Sequence, residues 1–226
     1  MTLATRIGRI GLPVLCYIAS SDSVKNGEIE KTVAEAVAGG VTMVQLREKA
    51  MPAGELLSLA RRIKAITRGR ALLLINDRVD VALASEVDGV HLPENGLPTL
   101  TTRGLIGKYA VFGRSVHSVD GAVQAGREGA EYVLVGTIFE SPSKPEVEPA
   151  GAGLVKEISA VVSIPIVAVG GITASKVAEV IEAGAAGIAV ISAIGSADDP
   201  KAAATELSKA LSEAWAARRT ASAASA

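Results

Sequence analysis

The stretch IPIVAVGGITASKVAEVIEAGAAGIAVIS, residues Ile164–Ser192, decides the fold of this chain. Its first apolar run, Ile164–Val169, has the length of a buried strand and stops at two glycines. A helical segment, Thr173–Glu182, follows, and Gly184 separates it from a second apolar run, Gly187–Ile191. A strand, a helix and another strand in this order predict a parallel sheet whose faces are covered by helices.

Apolar runs of the same kind recur along the rest of the chain, joined mostly by segments with a helical period. The eight runs are Val14–Ile18, Met43–Leu46, Leu72–Ile75, Gly89–Leu92, Val111–Phe112, Tyr132–Ile138, Ile164–Val169 and Gly187–Ile191. Eight strand–helix units in 226 residues predict one α/β domain, a single (β/α)8 TIM barrel. We expect an N-terminal extension over 1–13, a barrel over 14–215 and a disordered, low-complexity tail over 216–226.

The composition excludes several classes of function. Only 3% of residues are aromatic and the net charge is −1, which argues against nucleic acid as a partner. No apolar run is long enough to cross a membrane and the N-terminus lacks a signal peptide's apolar region, so we expect a cytoplasmic protein. The single cysteine, Cys16, is expected to be a small buried hydrophobe. The oligomeric state stays open, with a homo-oligomer as one alternative.

The polar residues that follow the apolar runs would meet at one rim, because barrel active sites lie where the strands end. In Gln45-Leu46-Arg47-Glu48-Lys49, Gln45 and Arg47 project to one side of the strand. Arg47 would then clamp a phosphate bidentately, and Lys49 would add a point charge. The alternative is a salt bridge between one of these cations and a glutamate at the rim.

Two further strand ends carry candidate groups. Asp77, in Asn76-Asp77-Arg78, offers a carboxylate to Mg2+, and its alternative is an N-cap for the helix that follows. His117 is a candidate base or a helix cap. His91 alternates with apolar residues and is expected to be a hydrogen-bonded structural histidine.

The last three strand ends favour a phosphate site. The loop after the sixth run contains Ser141, Ser143 and Lys144, which suit an oxyanion unless the loop is only a mobile surface segment. Gly170-Gly171 and Ile191-Ser192 follow the seventh and eighth runs, where barrels often bind phosphate. Tight turns without a ligand are the alternative interpretation.

Together these residues resemble the thiamine phosphate synthase and thiazole tautomerase superfamily, over roughly Val14 to Ala210. The motifs that carry the resemblance are QLREK at 45–49, INDR at 75–78, DGVHLP at 88–93, GRSVHS at 113–118, SPSK at 141–144, VAVGGIT at 167–173 and GIAVIS at 187–192. Their joint order and spacing are specific, although each motif alone is weak.

The resemblance implies a transferase of thiamine biosynthesis that joins hydroxymethylpyrimidine diphosphate to thiazole phosphate and releases diphosphate. It implies that the pyrimidine diphosphate is held by Gln45, Arg47, Lys49, Asn76, Ser115 and Lys144, with Arg47, Lys49 and Lys144 as catalytic cations. It implies that the thiazole phosphate is held by Ser141 to Ser143, Gly170, Gly171, Ile191 and Ser192, and that Asp77 binds Mg2+. The cations and the metal would stabilise the departing diphosphate while the thiazole nitrogen attacks a pyrimidine cation.

The chain departs from the family pattern in two places. A typical synthase carries Gly-Gln-Glu-Asp where this chain has Pro93-Glu94-Asn95-Gly96, so a glycine replaces the second metal-binding aspartate. Glu94 or Asn95 is the candidate replacement, and Mg2+ should bind more weakly. The tautomerase branch has a histidine where this chain has Thr137, and a hydroxyl cannot replace it as a base. The alternatives are therefore a thiazole phosphate tautomerase-like isomerase and a non-catalytic phosphate sensor on the same barrel.

Overall fold

The computed structural model describes residues 11–25, 27–108, 110–141 and 146–224. Its sheet is a closed barrel of eight parallel strands, each paired with its neighbours in chain order, and β1 pairs with β8. The strands are β1 (Val14–Ala19), β2 (Met43–Leu46), β3 (Leu72–Asn76), β4 (Gly89–Leu92), β5 (Val111–Val116), β6 (Tyr132–Val135), β7 (Ile166–Val169) and β8 (Gly187–Val190). The predicted single (β/α)8 barrel is confirmed.

The helices pack outside the barrel. They are α1 (Ile29–Ala38), α2 (Ala53–Thr67), α3 (Val79–Ser85), α4 (Thr99–Ile106), α5 (Val119–Arg127), α6 (Gly151–Ser159), α7 (Val177–Glu182), α8 (Ser192–Gly195) and α9 (Pro200–Ala224). Short 3-10 turns at Ser21–Ser23 and Ala174–Lys176 follow β1 and precede α7. No helix within the described ranges is both long and apolar enough to cross a bilayer.

Alternation along the strands divides the apolar residues into two cores. On β1, Val14, Cys16 and Ile18 face the barrel interior, while the residues between them pack against the helices. Burial raises the pKa of the Cys16 thiol to about 12, so the thiol is a small hydrophobe, as expected. The interior is filled by side chains below the strand ends, so the barrel is a packed core and not a pore.

Two elements differ from the sequence-based expectation. β5 continues beyond Val111–Phe112 to Val116, because its polar residues Arg114 and Ser115 lie at the carboxyl end of the barrel, where polar side chains are solvated or bonded. Helix α4 was not predicted, because its sequence contains three threonines and Gly104. It buries Thr99, Thr102 and Ile106 against the barrel, so tertiary packing overrides its weak helix propensity.

The predicted disorder of residues 216–226 is wrong for 216–224, which extend α9 to Ala224. Arg218 donates from Nη1 to the carbonyl oxygens of Ile181 (3.0 Å) and Ala185 (2.7 Å), and its guanidinium lies over the Trp215 ring at 4.4 Å. These contacts attach the end of the helix to the barrel, and its alanine-rich composition favours helix. Residues 1–10 of the predicted extension and residues 225–226 of the tail lie outside the described residues.

Candidate active site

An open cavity of about 920 Å³ lies at the carboxyl ends of the strands. Its lining includes most of the predicted site residues, namely Gln45, Arg47, Lys49, Asn76, Asp77, Glu94, Ser115, Ser141, Gly170 and Ile191. These residues lie at or after the ends of seven different strands, β2 to β8, as expected for a barrel rim. The convergence that the sequence predicted is therefore present.

Arg47 and Lys49 follow the last residue of β2, and both line the cavity. The Arg47 backbone N–H donates to the Ala19 carbonyl oxygen at 2.8 Å, which continues the pairing of β2 with β1. Neither cation forms a salt bridge with any carboxylate in the part of the chain that the structure describes. The neighbouring Glu48 instead accepts hydrogen bonds from Ser21, at 2.6 Å from the backbone N–H and 2.7 Å from Oγ. The alternative of a rim salt bridge is thus not observed.

Burial of Arg47 lowers the pKa of its side chain. The guanidinium is half-buried, and desolvation lowers its pKa from the ordinary value. Arginine keeps its charge under all ordinary conditions, so a partly desolvated positive charge, with no ion-pair partner among the described residues, lies in the cavity wall. Such a charge is costly without a partner and attracts an anionic ligand.

Gln45 and Asn76 form an amide pair on the interior side of β2 and β3. Gln45 Nε2 donates to Asn76 Oδ1 at 2.9 Å, and Gln45 is only 2% exposed. Gln45 Oε1 has no hydrogen-bond partner among the described residues. The pair therefore presents fixed amide groups rather than charges at the base of the cavity.

Asp77 directly follows β3 with a left-handed backbone, φ 63°, which places it at the cavity wall. The N-cap of α3 is Arg78, and no side chain caps that helix, so the capping alternative for Asp77 is wrong. A Cβ added at Gly96 would lie 3.1 Å from Asp77 Oδ1. Gly96 therefore adjoins the Asp77 carboxylate.

The Glu94 carboxylate is hydrogen-bonded to His117. Glu94 Oε2 lies 2.7 Å from His117 Nδ1, and Glu94 Oε1 accepts from the His117 backbone N–H at 3.2 Å. Helix α5 is capped by Ser118, whose Oγ accepts from the Gly121 N–H at 3.1 Å, so His117 does not cap it. Within the described residues, no three His, Cys, Asp or Glu side chains gather at one metal-binding point.

Ser115 borders the cavity and contacts His91 beneath it. His91 Nε2 lies 2.9 Å from Ser115 Oγ, and His91 Nδ1 lies 2.8 Å from the Tyr132 hydroxyl. Burial, together with the charges of Arg114 and Arg47, lowers the pKa of His91 to about 3. His91 is therefore a neutral, hydrogen-bonded histidine, as the sequence predicted.

The glycine-rich ends of β7 and β8 form the opposite wall. Gly170 and Gly171 have φ of 103° and 61°, and a Cβ at Gly171 would lie 2.1 Å from the Glu140 carbonyl oxygen. Gly170 and Ile191 line the cavity, and Gly171 and Ser192 adjoin them. Thr137, where the resemblance to the tautomerase branch leads one to expect a histidine, is buried and also borders the cavity. Two predicted residues, Ser143 and Lys144, lie outside the described residues.

Sequence reasoning missed the contacts that hold the rim together. Arg114 donates to the carbonyl oxygens of Leu97 (2.8 Å) and Glu94 (2.7 Å), which fastens the loop between β4 and α4. The pairing of Glu94 with His117 was also missed. The only available signal was that polar residues interrupt the ends of β4 and β5, and this signal does not identify partners.

Comparisons with known proteins agree on one family. The profile of the TMP-TENI family, described as thiamine monophosphate synthase, matches residues 15–194. A thiamine-phosphate synthase of Methanoculleus marisnigri is 45% identical over 84% of this chain and 92% of its own length. One from Clostridium tetani is 41% identical over 85% of this chain and 93% of its own. Among solved structures, a thiamine phosphate pyrophosphorylase from Pyrococcus furiosus superposes with a TM-score of 0.82 at 34% identity, covering 89% of this chain and 96% of the other.

Proposed function

This chain belongs to the thiamine monophosphate synthase family, and we propose that it is a transferase that joins hydroxymethylpyrimidine diphosphate to thiazole phosphate, releasing diphosphate. The observation that carries the proposal is Arg47, a cation that no described carboxylate pairs, in the wall of the same cavity as Asp77. An anion and a divalent cation enter such a site together when the ligand is a diphosphate. The isomerase alternative would need a base where the cavity has Thr137.

Arg47 and Lys49 stabilise the leaving diphosphate in this proposal. The C–O bond between the pyrimidine methylene and the diphosphate breaks, and negative charge grows on the departing oxygens. A half-buried guanidinium binds two of those oxygens at once, and its field is strengthened because the wall around it excludes water. Lys144 is proposed as a third cation from the loop after β6.

The pyrimidine and the thiazole occupy opposite walls. The rigid Gln45–Asn76 amide pair orients the pyrimidine, and Ser115 binds its diphosphate. The thiazole phosphate lies against Gly170, Gly171, Ile191 and Ser192, where glycines allow close approach to backbone N–H groups, and Ser141 and Ser143 add hydroxyls. The thiazole nitrogen then forms the new C–N bond with the pyrimidine methylene.

Mg2+ is proposed as the metal, held by Asp77. The donor set fits in part, because Mg2+ commonly binds one or two carboxylates together with substrate phosphates and water. Bound there, it would neutralise charge on the diphosphate oxygens. Glu94 already bonds to His117, so Asp77 is the carboxylate we assign, and Gly96 leaves the second position without one.

The charge of the phosphorylated substrates also supports a cytoplasmic location for the protein. Phosphorylated pyrimidines and thiazoles do not cross membranes unaided, so we propose that the protein works in the cytoplasm where they are made. We keep a homo-oligomer as an open proposal, to be tested by light scattering.

The decisive experiment is a diphosphate-release assay with both substrates and Mg2+. The proposal expects release that requires both organic substrates and falls by about 10²-fold in Asp77→Asn, because a neutral amide holds the metal poorly. A folded wild-type protein that binds thiazole phosphate without any release would instead favour the sensor alternative. Isomerisation of the thiazole substrate without metal would favour the tautomerase alternative.

A further inference from the structure

A continuous line of hydrogen bonds joins the interior of the barrel to the cavity. The Tyr132 hydroxyl lies 2.8 Å from His91 Nδ1, and His91 Nε2 lies 2.9 Å from Ser115 Oγ. Tyr132 and His91 are 1% and 0% exposed, whereas Ser115 lines the cavity. Two groups that no ligand reaches are therefore connected to one that a ligand contacts.

Gly113 makes this connection possible. The strand register places His91, Gly113 and Tyr132 at one level of β4, β5 and β6. A Cβ on Gly113 would lie 2.1 Å from Tyr132 Cζ, so the tyrosine ring fills the space that any side chain there would need. The hydroxyl consequently crosses β5 and reaches the imidazole on β4.

Tyr132 determines the direction of both hydrogen bonds. Within the described residues, its buried hydroxyl has His91 Nδ1 as its one hydrogen-bond partner. A buried O–H without an acceptor costs on the order of 1–3 kcal/mol, so the hydroxyl donates to Nδ1. Neutral His91 then carries its hydrogen on Nε2 and donates it to Ser115 Oγ.

The imidazole keeps this arrangement because it does not become charged. The imidazole bonds to Tyr132 and Ser115, and the charged groups that act on it are the two arginines at the rim, Arg114 and Arg47. Burial first, and these two positive charges second, lower the pKa of His91 to about 3. Near neutral pH the imidazole is therefore uncharged, and the hydrogen bond from Tyr132 to Nδ1 favours the tautomer with its hydrogen on Nε2.

We infer that Tyr132 and His91 are positioning residues that hold Ser115 as a hydrogen-bond donor toward an anionic oxygen in the cavity. A serine hydroxyl has one hydrogen, and accepting from His91 leaves that hydrogen for the ligand. The reverse polarity would turn the hydrogen inward and present lone pairs to the phosphate, which would repel it. The inference rests on the proposed function, since the anion is the substrate diphosphate.

The tautomer can be measured directly in the full chain. The sequence contains two histidines, so ¹⁵N-histidine labelling gives two imidazoles, and a His117→Gln variant assigns them. The inference expects His91 with a protonated Nε2 and a bare Nδ1 at neutral pH. A protonated Nδ1, or a charged imidazole, would overturn it.

A double-mutant cycle measures the consequence for binding, with inorganic diphosphate and Mg2+ as the probe in calorimetry. Ser115→Ala should weaken binding about tenfold, as loss of a hydrogen bond to a charged group does. Tyr132→Phe should weaken it about threefold, since both tautomers become populated and only one is competent. In the Ser115→Ala background, Tyr132→Phe should have no further effect.

The controls separate this inference from a structural role and from the proposed function. Tyr17→Phe removes another buried hydroxyl, one without a hydrogen bond to any described cavity residue, and should leave diphosphate binding unchanged. Equal losses from Tyr132→Phe in both backgrounds would show a structural effect and overturn the inference. If the wild type fails to bind diphosphate, the proposed function fails, and the His91 tautomer alone decides the positioning role.

Discussion

The two ends of the barrel use charged side chains in opposite ways. At the amino end, Asp88 and Glu131 each precede a strand, and each accepts a backbone N–H from the neighbouring strand, from Leu73 at 2.8 Å and Phe112 at 3.0 Å. Glu131 is 2% exposed and also pairs with Arg103 at 3.6 Å. At the carboxyl end, Arg47 is half-buried and pairs with none of the described carboxylates.

This difference separates charges that stabilise the fold from a charge that we propose binds a ligand. A buried carboxylate with internal donors stabilises the strands that supply them. A desolvated cation without an internal partner costs free energy in the empty protein and recovers it when an anion binds. Changes at the two ends should therefore affect different measurements.

The largest effect is expected from Arg47→Met. Turnover should fall by about 10³-fold, because one preorganised donor for the leaving oxygens is lost. The free energy of unfolding should stay within about 0.5 kcal/mol of the wild type or rise slightly, because no internal partner is removed. Assays of diphosphate release and chemical denaturation check both values. A marked loss of stability would contradict the contrast between the two ends.

At the opposite end, Glu131→Gln should act on stability and not on chemistry. The free energy of unfolding should fall by about 3 kcal/mol, because Arg103 loses the charge that compensates it in a buried position. The kcat/KM of the folded fraction should match the wild type. Denaturant titration and kinetics below the unfolding transition provide the two readings, and a change confined to kcat/KM would refute the assignment.

Gly96→Asp tests whether the carboxyl end lacks a metal ligand. A Cβ there would lie 3.1 Å from Asp77 Oδ1 and 3.0 Å from Pro93 Cδ, so the loop must shift by a few tenths of an ångström. With two carboxylates, the Mg2+ concentration for half-maximal activity should fall about tenfold. Gly96→Asn, of equal size and without charge, is the matched control and should give no such gain. Equal effects of both variants would contradict the prediction.

The smallest expected effect is the change of stability with pH that His91, which lies between the two ends, causes. Its pKa is about 3 in the folded protein and 6.5 in the unfolded chain, so between these values the unfolded chain binds the extra proton. Stability should therefore fall as the pH drops below about 6.5, by at most about 1.4 kcal/mol per pH unit.

Denaturant titrations between pH 7.5 and 5.5 measure this slope above the range where most carboxylates titrate. His91→Gln removes the group and should flatten the slope in this window. A slope that is the same in both proteins would place the acid sensitivity elsewhere.

Most of the fold could be predicted from the sequence, because buried parallel strands are continuous apolar runs, and each of the eight strands begins or ends at the predicted residue. The sequence predicted which residues lie at the strand ends and that they meet, and Gln45, Arg47 and Asp77 do line one cavity. Helix α4 and the helical end of α9 were missed. Their stability comes from tertiary contacts, such as those of Arg218 with Ile181 and Ala185, which local propensity does not record.

By itself, the sequence determined that this chain closes into a barrel and which residues follow each strand, because hydrophobic periodicity records which face of an element is buried. Only the tertiary structure decided which side chains meet. The contact of Gly96 with Asp77, the pairing of Glu94 with His117 and the line from Tyr132 through His91 to Ser115 join residues on different strands or loops, 41 positions apart for Tyr132 and His91. Such partners depend on strand register and on the empty space at one glycine, and neither is recorded in the pattern of any single segment.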